Sequence, residues 1–204
     1  MKDKIYYYFI IFCLLHFFIS KVNSNEQFNF DITNVEILEN GRIFKGLNKG
    51  TITTDNEIVI IADSFEYDKQ TNILIANGDV KMEDTIEDYT IFAEEVTYLK
   101  NDEKIITKNN SKATYGDGQV IYANSFEYDK KTNILIASGD VKMEDTVEDY
   151  TIFADQVTYL KNDEKVITKN NSKAIYGDGQ VIYANSFEYD KKTNILIASG
   201  DVKM

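Results

Sequence analysis

The chain has 204 residues, 34 of them acidic against 22 basic, for a net charge of −12 at pH 7. That balance argues against nucleic acid as a partner, because phosphate binding needs a basic surface. The single cysteine, Cys13, the single histidine, His16, and the absence of proline and tryptophan leave no disulfide framework, no His or Cys catalysis outside one short segment and no usual zinc ligand set.

Residues 1–24 have the layout of a secretory signal peptide. Lys2 and Lys4 give a basic start, residues 5–19 are apolar, and Val22-Asn23-Ser24 offers small residues for cleavage after Ser24. The apolar run is shorter than the roughly 20 residues a spanning helix needs, so cleavage is expected rather than an uncleaved anchor. Both Cys13 and His16 fall inside it. Removing Lys2, Lys4, Lys21 and Asp3 with the leader leaves 19 basic and 33 acidic residues, so the exported chain is more acidic still. Residues 25–57 are expected to supply lead-in strands for a repeat domain at 58–204.

From position 58 the chain repeats itself. Residues 62–122 return as 123–183 with eight differences, and 184–204 repeat 123–143 without change. Self-similarity at a fixed period marks a stack of equivalent units. A finer unit lies inside: Ala62, Ala93, Ala123, Ala154 and Ala184 open related segments 31, 30, 31 and 30 residues apart. Two unlike modules of about 30 residues alternate.

Each module reads as β. Leu74, Ala76, Gly78, Val80 and Met82 share one parity, with Asn77, Asp79 and Lys81 on the other, the period of a half-buried strand. In the preceding strand the parity switches: Ile58, Ile60 and Ala62 alternate before Asp63-Ser64, and Phe65 and Tyr67 after it. Tyr89, Ile91 and Ala93, then Val96 and Tyr98, switch at Glu94-Glu95. A parity change within a strand is what a β-bulge or corner produces. A corner at one place in every module predicts a sheet folded along a line. The fold class is all-β: a repetitive antiparallel β-jellyroll, an open two-walled, solenoid-like stack. The second module carries Ile105, Thr107, Asn109, Ser111 and Ala113 at the matching positions, which predicts either a solvent-exposed rim or a wetter opening opposite an apolar wall.

The segments Ile60-Ile-Ala-Asp-Ser-Phe-Glu-Tyr-Asp68, Asn72-Ile-Leu-Ile-Ala-Asn-Gly-Asp-Val80 and Tyr98-Leu-Lys-Asn-Asp-Glu-Lys-Ile-Ile106 resemble the OstA-like repeat. Its motif recurs at 121–141 and 182–202 with Asn124 and Asn185 in place of Asp63. That family includes the lipopolysaccharide transport protein LptA and the N-terminal domain of the assembly protein LptD. The resemblance implies an apolar β-groove that holds lipopolysaccharide acyl chains without catalysis or cofactor. It also implies end-to-end joining to other OstA-like proteins by edge-strand addition, and a place in the periplasm or at the outer membrane of a Gram-negative bacterium. The expected groove residues are Ile60, Phe65, Leu74, Val80, Met82, Ile91 and Val96, with Ile121, Phe126, Leu135, Val141 and Met143 one period later. The chain's last segment, 194–204, then reads as an unpaired edge strand of a fragment.

Two other classes stay in view. Near-identical tandem copies suit a structural β-solenoid, such as an adhesin stalk or surface array, with a filled interior and no lipid. A carboxylate-only glycan enzyme would need two facing acids, and no such pair stands out. The acidic groups Glu83-Asp84 with Glu87-Asp88, and Glu144-Asp145 with Glu148-Asp149, read as solvated loops rather than calcium or magnesium sites. Gly116-Asp117-Gly118 and Gly177-Asp178-Gly179 read as tight turns. Tyr67, Tyr98, Tyr128, Tyr159 and Tyr189 recur at module spacing, as cross-strand packing requires.

Overall fold

The alternation that fills these segments builds strands almost without interruption. A computed structural model describes residues 28–54, 58–116, 118–177 and 179–204; the expected leader, Asp117 and Asp178 lie outside the described residues. Seventeen strands form one continuous sheet: β1 (Asn29–Leu38), β2 (Ile43–Thr53), β3 (Ile58–Ala62), β4 (Ser64–Asp68), β5 (Ile73–Asp84), β6 (Tyr89–Leu99), β7 (Lys104–Lys108), β8 (Ser111–Tyr115), β9 (Gln119–Ala123), β10 (Ser125–Asp129), β11 (Ile134–Asp145), β12 (Tyr150–Leu160), β13 (Lys165–Lys169), β14 (Ser172–Tyr176), β15 (Val181–Ala184), β16 (Ser186–Asp190) and β17 (Ile195–Ser199). Every pairing is antiparallel and joins rungs that are successive along the chain. β5 pairs with β6 over its whole length, for example, and β6 then pairs with β7 in one half and β8 in the other. A 3₁₀ turn at Glu39–Gly41 connects β1 to β2.

Each rung bends once, near its middle. In β5 the register jumps from Asn77 opposite Glu95 to Val80 opposite Ala93, two residues against one, which is a β-bulge. Gly78 sits there at φ +79°, and a Cβ on it would lie 2.5 Å from the Asp63 carboxylate. The period-two reading of Gly78 as an inward core position is therefore corrected: the glycine turns the corner because no side chain fits beside Asp63. The same jump recurs in β11 between Ser138 and Val141, with Gly139 against Asn124. The breaks between β3 and β4, β9 and β10, and β15 and β16 fall in line with these bulges. Asn109, Asn110, Asn170 and Asn171 take positive φ at the matching point of the second module, a conformation asparagine tolerates better than most residues.

The bends align into a crease, and the sheet folds over it into two walls. One wall holds β4, β7, β10, β13, β16, β17 and the adjoining halves of the long strands. The other holds β3, β8, β9, β14, β15 and the remaining halves. Apolar side chains of both walls meet in one core that runs the length of the stack, from Phe28 and Ile52 to Phe187 and Tyr189. The parity switch at Glu94 is the reason: Tyr89, Ile91 and Ala93 are buried before it and Val96 and Tyr98 after it, so both halves of one strand face inward.

The small polar face of the second module is neither a rim nor an opening except at Asn109, which is exposed at the bend. Ile105, Thr107, Ser111 and Ala113 are each 2% exposed or less. Thr107 and Ser111 share a hydrogen bond of 2.5 Å, and Thr107 Oγ1 accepts the Phe126 amide at 2.8 Å. Thr168, Ser172 and Phe187 repeat the arrangement. These hydroxyls line the inside of the crease, where the bend leaves a backbone amide without a ladder partner and too little room for a large side chain.

Candidate functional site

All twelve groove candidates converge on the interior. Ile60, Phe65, Leu74, Val80, Met82, Ile91, Val96, Ile121, Phe126, Leu135, Val141 and Met143 are each 3% exposed or less. They belong to one core, so the interior stands closed and filled by its own side chains.

What closes it differs between the two sides. At the crease the walls are continuous through the backbone. On the opposite side, among the described residues, the two rows of turns meet through side chains alone. One row borders the wall of β4 and carries Lys69, Lys100, Lys130, Lys161 and Lys191, each just after a strand end. The other row borders β5, β9 and β11. Three of those lysines bridge the gap. Lys130 Nζ donates to Asp84 Oδ2 at 2.7 Å, Lys191 Nζ to Asp145 Oδ2 at 2.8 Å, and Lys161 Nζ to Glu87 Oε2 at 2.7 Å and the Glu87 carbonyl at 2.9 Å. Lys100 lies over the Phe28 ring, 4.8 Å from its centre.

Just inside this seam the rings of opposite walls meet edge to face, the favoured geometry for aromatic pairs. Tyr89 meets Tyr128 at 5.3 Å, Tyr115 meets Tyr159 at 6.0 Å and Tyr150 meets Tyr189 at 5.1 Å between centres. The hydroxyls of Tyr67, Tyr128 and Tyr189 donate to Asn72, Asn133 and Asn194 on their own wall. Those of Tyr89, Tyr115 and Tyr150 are buried without a hydrogen-bond partner among the described residues. Burial pushes all three phenols far above their ordinary value, since an anion there would have no water. A cavity of about 250 Å³ opens on the seam between Glu87, Tyr115, Gln119, Tyr159 and Lys161.

The acidic clusters are thus not simply solvated. Asp84 and Asp145 are 2% and 3% exposed. Each uses one oxygen for the lysine and the other for two backbone amides of its own turn, Ile86 and Glu87 for Asp84, Val147 and Glu148 for Asp145. Burial alone would raise the Asp145 carboxyl, but the Lys191 ammonium and those amides outweigh it and hold it below its usual value. No cluster of potential ligands could hold a metal ion among the described residues.

Sequence reasoning finds the interior and misses the seam. The signal is present, because a lysine stands after the strand end in every module at the spacing of the alanines. Which acid each lysine meets is not legible, because the partners lie 46 or 74 residues away.

The sequence matches the family described as LptA/(LptD N-terminal domain) LPS transport protein over residues 59–165, just over half of the chain. No curated protein sequence matches. Among solved structures, similarity is found to LptH, the LptA homologous periplasmic component of the lipopolysaccharide transport device from Pseudomonas aeruginosa, at 17% identity. The alignment covers 72% of this chain and 84% of that one with a TM-score of 0.31.

Proposed function

The chain belongs to the LptA/(LptD N-terminal domain) family of lipopolysaccharide transport proteins, and we propose that its interior receives the acyl chains of lipopolysaccharide through the lysine–carboxylate seam. The observation that carries this reading is the asymmetry of closure. A continuous apolar core is held on one side by backbone hydrogen bonds and on the other, among the described residues, by lysine side chains and ring contacts. Walls joined in that way can part at the seam without breaking a single β-ladder. Hydrocarbon entering between them would be withdrawn from water at about 0.8 kcal/mol per CH₂, and the reading needs no catalytic step.

Leu74, Met82, Ile91 and their copies Leu135, Met143 and Ile152 would touch the chains, because they line both walls along the core. Export to the periplasm and association with the outer membrane belong to the same proposal, as does joining to other family members by strand addition. β1 supports the last point, since it pairs with β2 alone among the described residues and exposes Val35 and Ile37.

A photo-crosslinker at Leu74 tests the proposal in cells. Capture of lipopolysaccharide there, well above that from the outward Lys81, is the expected result. Equal capture at the two positions would refute lipid loading. The filled interior favours one competing reading, a purely structural β-stack, and that reading predicts no capture at either position.

A further inference from the structure

On the outer face of the wall opposite the β4 wall, one line of residues crosses nine successive rungs. Lys81 stands opposite Phe92, Phe92 opposite Lys112, Lys112 opposite Tyr122, and Tyr122 opposite Lys142. The line goes on through Phe153, Lys173, Tyr183 and Lys203. Lysine and aromatic ring alternate without a break for about 38 Å, at roughly 4.8 Å per strand. Lys112 Nζ lies 5.8 Å from the centre of Phe92 and 5.7 Å from that of Tyr122. Lys173 Nζ lies between Phe153 and Tyr183 at 5.5 and 5.8 Å. The rings remain partly open, with Phe92 37%, Tyr122 38% and Tyr183 48% exposed.

We propose that this row is a binding track for an extended acidic polysaccharide. Charge is the first argument: five ammonium groups stand in file on a chain of net charge −12. Lys81 and Lys142 pair with Glu83 and Glu144. Lys112 and Lys173 have rings beside them and no carboxylate partner among the described residues, so their charge is available.

Shape is the second argument. The row is one residue wide, and Glu83, Glu94, Glu144 and Asp155 flank it along the same strands. A flat anionic bilayer would press on those carboxylates, whereas a filament in the row meets only lysines and rings. Rings recur every second strand, about 9.6 Å, close to the length of two sugar units in an extended chain. An extended peptide, repeating its side chains at about 6.7 Å on one face, would lose register. Ring and sugar C–H faces pack together, and ammonium groups pair with the sugar acids.

Two depressions lie on the crease side of the row. One of about 590 Å³ is bounded by Phe153, Lys173, Tyr183, Asn171, Asn185 and Asp201, and one of about 340 Å³ by Phe92, Asp79, Glu94 and Asn110. The Asn185 side-chain amide can meet sugar hydroxyls there, while those of Asn110 and Asn171 donate to Glu94 and Asp155. The track is on the outside of the wall, away from the seam, so its ligand is a free polysaccharide rather than the sugars of a lipid held in the interior.

Labelled oligogalacturonates of increasing length, monitored by fluorescence anisotropy on the whole chain, test the assignment, with alginate and a phosphomannan as further probes. Saturable binding that tightens with length and vanishes on methyl esterification of the oligomer is expected. Lys112→Glu with Lys173→Glu, and separately Phe92→Ala with Phe153→Ala, weaken it about tenfold or more. Lys112→Gln with Lys173→Gln keeps part of each stem over the rings, and removes the positive charges without reversing them should the reversal disturb the sheet. The proposal is overturned by any of three results: no saturable binding to all three glycans below about 1 mM, no loss in the lysine variants, or tighter binding to single-stranded DNA or to anionic vesicles than to the glycans.

Discussion

Lys130 and Asp84 join the two walls at the seam: the ammonium donates at 2.7 Å to a carboxylate whose side chain is 1% exposed, while the lysine is 14% exposed. The partners belong to turns on opposite walls, so the bond measures whether the walls are together. Lys191 and Asp145 repeat it 61 residues later at 2.8 Å, with 11% and 2% exposure.

Removing one partner leaves a buried charge with less compensation. Lys130→Ala is expected to lower unfolding free energy by about 2 kcal/mol, read from urea denaturation. Lys104→Ala, which removes an exposed pair with Glu127 on the outer face, should leave the midpoint unchanged, because solvent screens such pairs.

Acid should loosen the seam. The native Asp145 value is depressed, so its contribution is fully present above the ordinary 3.8 and is lost as pH falls through the native value. The stability of the wild-type chain therefore declines below about pH 4 more steeply than that of Asp145→Asn, which starts lower and has less to lose. Parallel denaturant midpoints for the two proteins over that range would contradict the assignment.

Alkali acts from the other direction. Burial pushes the Tyr189 phenol up to about 12, and those of Tyr89, Tyr115 and Tyr150 further. A raised native value gives stability that is complete below 10 and lost as pH rises through it. Tyrosinate absorbance of Tyr189 should thus appear only at about 12 and that of Tyr89, Tyr115 and Tyr150 later still, together with loss of the β-sheet signal in circular dichroism. Full ionisation of the tyrosines near 10 with the sheet intact would show that the rings are not sealed.

Locking the seam separates entry from storage. Glu87→Cys with Lys161→Cys, joined by a short bifunctional maleimide, should abolish lipopolysaccharide capture from a photo-crosslinker at Leu74. The same double variant left unjoined should retain capture. Undiminished capture in the joined protein would place the lipid's entry elsewhere.

The corner glycine offers a purely structural check. Gly78→Ala adds a Cβ 2.5 Å from an Asp63 oxygen at a φ of +79° and is expected to cost about 1–2 kcal/mol, seen as a lower thermal midpoint without change of fold.

The repeat, the strand character, the corner in every module and the twelve inward residues are all legible in the order of amino acids, because a strand's faces alternate with a period of two and a bulge must show as a slip in that period. Gly78 reads falsely as part of the inward face, since a corner glycine keeps the same parity as its apolar neighbours. Thr107 and Ser111 read as water-facing because polarity alone does not tell water from a backbone amide that lacks a ladder partner. The pairing of Lys130 with Asp84, and the file of Lys112 between Phe92 and Tyr122, need the folded sheet. Local alternation fixes which way a side chain points. Only the register of many rungs, and the approach of two walls across a crease, fixes what it meets there.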